Sequence, residues 1–103
     1  MKKPSYYAVI FTSIRTEVDH GYAEMAKTIE DLAKTQPGYL GIETAREEIG
    51  ITVSYWESLE AIANWKKNSD HVLAQSKGIK DWYQNYTVRI CKVEREYSWE
   101  KLV

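Results

Sequence analysis

The sequence has few of the residues that cross-link small proteins through disulfides or metal ions. Cys91 is the single cysteine among 103 residues, so no disulfide can form within the chain. The two histidines, His20 and His71, lie in different segments and show neither HxH nor HExxH spacing. An apolar run surrounds Cys91, which favours a buried, unreactive thiol. We therefore expect no bound metal and no cysteine chemistry.

An excess of one charge and long apolar runs are also missing. The 14 Lys and Arg residues and 15 Asp and Glu residues leave a net charge of −1, which provides no basic surface for nucleic acid. No apolar run approaches the roughly 18 residues of a transmembrane helix. The first residues also lack the apolar segment of a secretion signal. We expect a cytoplasmic protein that binds neither nucleic acid nor membrane.

Aromatic side chains are abundant instead. The chain has 4 Trp and 8 Tyr against 1 Phe, within an ordinary composition of 44% hydrophobic and 28% charged residues. Trp and Tyr pack on one side and offer an N–H or O–H group on the other, so they suit cavity linings and subunit interfaces, although each also serves as a core residue. A chain of this length forms one domain, residues 1–103, of which residues 98–103 are a short C-terminal tail.

Hydrophobic periodicity predicts the order strand, helix, strand, strand, helix, strand. The predicted segments are residues 6–14, 22–34, 39–46, 51–56, 59–66 and 86–97. Asp19 and Ser58 are candidate N-caps of the two helices. Residues 68–70 (NSD) predict a break and a new cap, followed by a short helix that ends near Gly78, and residues 79–83 are a candidate further turn.

This order is that of the α+β ferredoxin-like fold, βαββαβ, in which both helices cover one face of a four-stranded antiparallel sheet. Residues 6–14 are largely apolar at odd and at even positions, so that strand must be covered on both sides. The face without helices would expose apolar side chains in a monomer, and an area of that kind marks an interface. Two-fold pairing of sheet against sheet covers it. We therefore expect a homodimer through the sheet face.

Residues 7–97 resemble the antibiotic biosynthesis monooxygenase (ABM) domain proteins of the dimeric α+β barrel superfamily. The resemblance is carried by residues 7–15, by residues 36–43 (QPGYLGIE), and above all by residues 54–61 (SYWESLEA) leading to Trp65 and His71. It implies a dimeric α+β barrel with a pocket in each subunit between the sheet and the helices. It also implies oxygenation of an aromatic or quinol-like small molecule without metal, flavin or other cofactor.

Within such a pocket, the resemblance makes His71 the candidate catalytic residue, because histidine has an ordinary pKa near 6.5 and exchanges protons close to neutrality. The candidate substrate-binding residues are the aromatic side chains that can line a flat slot and one amide that can bind a substrate oxygen: Trp56, Trp65, Trp82, Tyr86 and Asn64. Each has a structural alternative, namely an exposed or capping histidine, a tryptophan packed between helix and sheet, or a surface asparagine.

Two other functions stay open. The same aromatic pocket can hold a metabolite without catalysis, which needs no group that transfers protons. The haem-degrading branch of the superfamily uses an Asn on the first strand, a Trp on the second helix and a His on the next helix. Trp65 matches that Trp, but residues 6–15 contain no Asn, and His71 lies six residues after Trp65 rather than near Gln75. Haem degradation is therefore disfavoured, and the sequence does not identify the substrate.

Overall fold

Seven elements make up the part of the chain that the computed structural model describes, residues 5–75 and 79–102. In chain order they are β1 (Tyr6–Arg15), α1 (Tyr22–Lys34), β2 (Tyr39–Arg46), β3 (Gly50–Trp56), α2 (Leu59–Gln75), α3 (Ile79–Trp82) and β4 (Tyr83–Val93). No described helix is long and apolar enough to cross a membrane.

The four strands form one sheet in the order β2-β3-β1-β4, and every neighbouring pair is antiparallel. The strand that is apolar on both faces, β1, takes a central position and pairs with β3 at one edge and with β4 at the other. This arrangement confirms the predicted α+β ferredoxin-like fold. It also aligns Tyr7 with Trp56 and Val9 with Ser54 across β1 and β3.

The core lies between the sheet and the two long helices. Ala33, Trp56, Ala61 and Ile62 are its buried members, and Tyr7, Val9, Tyr39 and Trp65 pack against them. Because side chains alternate along a strand, Phe11 and Ser13 share the face of Tyr7 and Val9. We call this face of the sheet the helix-side face and the opposite face the open face.

The two predicted helix caps have different outcomes. The Ser58 hydroxyl accepts a hydrogen bond from the backbone N–H of Ala61 at 3.0 Å, which confirms this N-cap. The prediction for Asp19 is wrong, because Gly21 occupies the N-cap position with a φ of 76° and no side-chain cap bond. The Asp19 carboxylate is instead held by Arg15 at 3.1 Å, which draws it away from the helix start.

The predicted break at residues 68–70 is also wrong, because α2 runs without interruption from Leu59 to Gln75. Two side-chain contacts accommodate these polar residues within the helix. The Ser69 hydroxyl donates to the carbonyl of Lys66 at 3.1 Å, and the Lys66 amine pairs with Asp70 at 2.7 Å. The predicted helix end near Gly78 lies outside the described residues.

The last strand differs from its predicted bounds because its length follows that of its partner β1. It begins at Tyr83, which pairs with Arg15, and ends at Val93, which pairs with Tyr6. Cys91 lies on the open face, since it aligns with Ala8 rather than with Tyr7 or Val9. The predicted burial of its thiol is wrong for the single chain, where Cys91 is exposed because no described element covers that face.

The open face combines apolar side chains with two tyrosine–glutamate pairs. Ile51 on this face is 44% exposed. The Tyr55 hydroxyl donates to Glu43 at 2.6 Å, and Tyr6 donates to Glu96 at 2.8 Å. The hydrogen bond to Glu43 is the main reason that the pKa of Tyr55 is raised to about 12. The open face is thus a partly apolar surface with a polar border.

Candidate functional site

The helix-side face carries an aromatic cluster where β3 meets α2, called the tryptophan cluster here and composed of Tyr39, Trp56 and Trp65. The Trp56 and Trp65 rings are stacked, with centroids 5.6 Å apart and an interplanar angle of 21°. Tyr39 meets Trp56 edge to face at 5.7 Å. Trp56 is fully buried and its indole N–H donates to the Ser54 hydroxyl at 2.8 Å, so its orientation is set by packing and by a hydrogen bond.

The local backbone explains why this cluster forms. Gly38 has a φ of 85°, which only glycine adopts without strain, and its carbonyl accepts a hydrogen bond from the N–H of Glu57 at 2.8 Å. A Cβ at residue 38 would lie 2.6 Å from the Cβ of Ala61. The start of β2 therefore approaches the start of α2 closely, and this approach brings Tyr39 onto Trp56.

A second aromatic cluster, called the tyrosine cluster here, joins β1, α1, α3 and β4 and consists of Phe11, Tyr22, Trp82, Tyr83 and Tyr86. Phe11 and Tyr86 are stacked with centroids 5.3 Å apart. Tyr83 meets Phe11, Tyr22 and Tyr86 edge to face at 5.8, 5.9 and 5.8 Å. Trp82 is 4% exposed and donates its indole N–H to the carbonyl of His20 at 2.7 Å, so it forms the buried end of the cluster.

An apolar strip composed of Val9, Val88 and Ile90 separates the two clusters on the helix-side face. Phe11 lies four residues after Tyr7 along β1, which corresponds to about 13 Å at the usual rise of a strand. The register places Ile90 opposite Val9 and Val88 opposite Phe11. Val88 is 49% exposed and Ile90 is 50% exposed, so the helices leave the β4 side of this face open. Val88 and Ile90 therefore form an exposed apolar edge beside the two clusters.

A surface cavity of about 370 Å³ opens beside the tyrosine cluster, at the junction of α3 and β4. Its lining combines two aromatic rings, two amides and an amine: Tyr83, Tyr86, Gln84, Asn85 and Lys80. The cavity is largely open to solvent, so it is a surface depression rather than an enclosed pocket. Of the residues predicted to bind substrate, Tyr86 lines this cavity, whereas Trp65 lies in the other cluster.

Two guanidinium groups lie next to the tyrosine cluster. Arg15 stacks on the Tyr22 ring, 3.4 Å from its centroid, and Arg46 donates a hydrogen bond to the fully buried Ser13 hydroxyl. Burial and a hydrogen bond with Tyr22 raise the pKa of Tyr83, and the charges of Arg46 and Arg15 act in the opposite direction. Tyr83 is therefore a protonated phenol beside two cations, with Tyr22 as its hydrogen-bond partner.

These cations were not among the predicted site residues. Side-chain alternation along β1 places Ser13 and Arg15 on one face of the sheet. The sequence therefore carries a signal for the position of Arg15 but not for that of Arg46. The approach of Arg46 to Ser13 bridges 33 positions of sequence separation and crosses from β2 to β1. No local pattern contains that contact, so it requires the sheet order.

The other predicted residues are distributed over α2. Asn64 and His71 are both exposed on this helix. At about 100° per residue, the six positions from Trp65 to His71 place the two side chains about 120° apart around the helix axis. Trp65 faces the sheet, so His71 points away from the Trp65 side of α2. The catalytic role of His71 and the substrate-binding roles of Asn64 and the aromatic residues stay predictions.

Metal ligation has no candidate in the same part of the chain. Within residues 5–75 and 79–102, His, Cys, Asp and Glu side chains form no group of three or more able to hold a metal ion.

Comparison with known proteins places the chain in a family. The sequence profile of the antibiotic biosynthesis monooxygenase family, ABM, matches residues 5–77. The uncharacterized protein YqjZ of Bacillus subtilis strain 168 is 49% identical over 96 residues, which are 91% of this chain and 84% of that protein.

Two solved structures of proteins with low sequence identity share the fold. SnoaB, a cofactor-independent oxygenase from Streptomyces nogalater, has a TM-score of 0.69 at 9% identity over 96% of this chain and 98% of its own. A mutant of MhuD with two manganese protoporphyrin IX molecules bound per active site has a TM-score of 0.65 at 19% identity, over 89% of this chain and 98% of its own. With a profile match over most of its length and a close relative, this chain belongs to the antibiotic biosynthesis monooxygenase family.

Proposed function

We propose that this protein is a cofactor-independent monooxygenase that acts on an aromatic or quinol-like small molecule. The observation that carries the proposal is the pair of aromatic clusters on one face of the sheet, separated by an apolar strip that is open at β4. Stacked rings and an apolar floor suit a flat, electron-rich substrate. Membership of the ABM family supports a monooxygenase reaction.

The proposed reaction joins a quinol with dioxygen. A ring carbon of the deprotonated quinol gains one oxygen atom and the ring becomes a hydroxylated quinone, while the second oxygen atom leaves as water. The quinol supplies all the electrons. The chain's task is therefore to hold the substrate anion, to orient its ring and to keep water away from the reacting carbon.

Polar groups beside the tyrosine cluster are suited to hold the substrate oxygen. Arg15 and Arg46 place positive charge beside Tyr83 in a partly buried setting. Lys80 lines the adjoining cavity. A phenolate oxygen placed here would accept hydrogen bonds and lie close to positive charge, which favours deprotonation of the substrate.

The proposed proton acceptor is His71, and His20 provides a matched control. Both histidines are exposed, and both are of the residue type that exchanges protons near neutrality. His71 lies on the same helix as Trp65 but on a different side of it, whereas His20 precedes α1, and its backbone carbonyl accepts the hydrogen bond of Trp82. Replacing each side chain by alanine leaves that backbone contact in place.

We also propose that the protein is a homodimer in which two open faces pack together. The support is the partly apolar surface around Ile51 and Cys91, which no described element of the same chain covers. Sedimentation velocity at micromolar concentration tests this point directly. A single species with the mass of one chain would refute the dimer without affecting the proposed reaction.

Oxygen uptake with a panel of quinols, without added metal or flavin, tests the proposed reaction. The wild type should consume dioxygen faster than the uncatalysed background for at least one quinol. Trp65→Ala should raise the KM by removing a ring of the tryptophan cluster, and His71→Ala should lower kcat while His20→Ala leaves it unchanged. Absence of catalysed uptake with every quinol refutes the monooxygenase assignment, and equal kcat values for wild type and His71→Ala refute the role of His71.

A non-catalytic binding protein is the second candidate, favoured by the position of His71 on a different side of α2 from Trp65. In that case the same quinols should quench tryptophan fluorescence with saturation but without oxygen uptake. Haem degradation is the less favoured alternative, because β1 contains no Asn and His71 is displaced from the position expected for an axial ligand. A shift of the Soret band on adding haemin would favour haem degradation over the other two functions.

A further inference from the structure

The last described residues of the chain carry its most exposed large apolar side chains. Residues 94–102, called the C-terminal arm here, form neither helix nor strand. Within the arm, Tyr97 is 83% exposed, Trp99 is 84% exposed and Leu102 is 90% exposed. Contiguous exposed apolar patches mark interaction sites, and tyrosine and tryptophan are enriched at protein interfaces.

The arm starts on the open-face side of the sheet. Glu96 accepts a hydrogen bond from the Tyr6 hydroxyl at 2.8 Å, and the Tyr6 ring meets Tyr55 edge to face at 6.1 Å. Tyr6 and Tyr55 both belong to the open face, because they alternate with Tyr7 and Trp56 on their strands. The arm is thereby tied at its beginning to the face that lacks a cover.

Beyond this tie the large side chains of the arm are almost fully exposed, and the chain as a whole is elongated. The radius of gyration is 15.2 Å, against about 13 Å for a compact domain of this length. The longest dimension is 47 Å, compared with 34 and 22 Å for the other two. The exposures of Tyr97 and Trp99 show that both rings lie largely outside the packing of the described residues of the same chain.

We propose that the C-terminal arm packs on a second copy of this chain, in the same two-fold pairing that covers the open face. This inference rests on the proposed homodimer. Tyr97 and Trp99 are two positions apart, so an extended arm presents both rings on one side. The four rings of two arms would bury roughly 600–1,000 Å², from about 150–250 Å² for each ring. That is about half of the 1,200–2,000 Å² of a stable specific interface.

The charge of the arm argues against a membrane as its partner. Three acidic residues, Glu94, Glu96 and Glu100, outnumber the two basic residues, Arg95 and Lys101. An anionic lipid surface attracts segments with an excess of basic residues, and this arm has the opposite balance. A second copy offers apolar side chains on its open face, such as the exposed Ile51, on which the rings of the arm can pack.

Sedimentation equilibrium of the full chain tests the arm. Trp99→Ala should raise the dimer dissociation constant at least tenfold, which corresponds to about 1.4 kcal/mol. Ser98→Ala, at the neighbouring exposed position, is the matched control and should leave the constant unchanged. If wild type and Trp99→Ala dimerise equally tightly, the arm proposal is refuted while the dimer stands. If the wild type is a monomer, the proposed dimer fails and the arm proposal fails with it.

Tryptophan fluorescence separates packing on the partner from packing on the same chain. Subtracting the spectrum of Trp99→Phe from that of the wild type isolates the emission of Trp99. This emission should shift to the blue as the protein concentration rises through the dimer dissociation constant. A blue position that does not depend on concentration would mean packing on the same chain, and a red position in the dimer would mean an arm in water. Either result overturns the proposal.

Discussion

Gly38 is the position at which the structure makes its sharpest prediction about stability. Its φ of 85° lies in the left-handed region, where a residue with a Cβ costs about 1–2 kcal/mol. The added Cβ of Gly38→Ala would also lie 2.6 Å from the Cβ of Ala61, on helix α2. Relief of a steric overlap in a packed core costs about 1–3 kcal/mol. Gly38→Ala should therefore lower the free energy of unfolding by about 2–5 kcal/mol.

Two other glycines separate the backbone strain from the overlap. Gly21 has a φ of 76°, but an added Cβ would lie 3.6 Å from Trp82, an ordinary contact. Gly21→Ala should cost about 1–2 kcal/mol from backbone strain alone. Gly41 has no positive φ and a Cβ there would lie 3.9 Å from Tyr55. Gly41→Ala should change the stability by no more than about 0.5 kcal/mol.

Urea unfolding followed by circular dichroism measures all these variants at one protein concentration, because dimerisation makes the apparent stability depend on concentration. The double variant Gly38→Ala/Ala61→Gly removes the overlap and keeps the backbone strain. It should be less destabilised than the sum of the two single variants by about 1–3 kcal/mol. If Gly38→Ala costs no more than Gly21→Ala, the close approach of β2 to α2 is incorrect, and with it the placement of the tryptophan cluster.

Three further predictions concern single contacts. Trp56→Phe should cost about 1–3 kcal/mol in urea unfolding, because it leaves the buried Ser54 hydroxyl without its indole donor, and adding Ser54→Ala should recover part of this loss. Ser58→Ala should cost about 1 kcal/mol by the same measurement, because it removes the cap of α2. Tyr55 should titrate near 12 rather than 10.0 in the ultraviolet absorbance of tyrosinate, and Glu43→Gln should move this step down. Because the folded pKa is the higher one, the contribution of this pair is complete below pH 10.0 and is lost as the pH rises through about 12.

The order of elements could be predicted from the sequence because it depends on local periodicity. The alternation from Tyr6 onward, the helical repeat from Tyr22 and the capped helix after Ser58 all appear at the expected places. The break predicted at residues 68–70 failed for a physical reason. Ser69 and Asp70 favour helix caps in general, but here their side chains bond within the helix, and no local pattern distinguishes the two cases.

The site is less predictable because its contacts join distant segments. Trp56 and Trp65 were both candidates, and their stacking follows from a strand that runs directly into a helix. The tyrosine cluster was missed apart from Trp82 and Tyr86, because Tyr22 and Tyr83 meet only after α1 and β4 are placed on the sheet. The exposure of Cys91 similarly depends on which face of the edge strand remains uncovered.

The central claim is that the aromatic face of this sheet supports the insertion of oxygen into a quinol-like molecule. Mass spectrometry of the product formed under dioxygen labelled with the heavy oxygen isotope tests this claim most directly. The product should contain one labelled oxygen atom, with the metal- and flavin-free wild type forming it faster than Trp65→Ala. A product without label, or one formed equally fast without the protein, would contradict the claim.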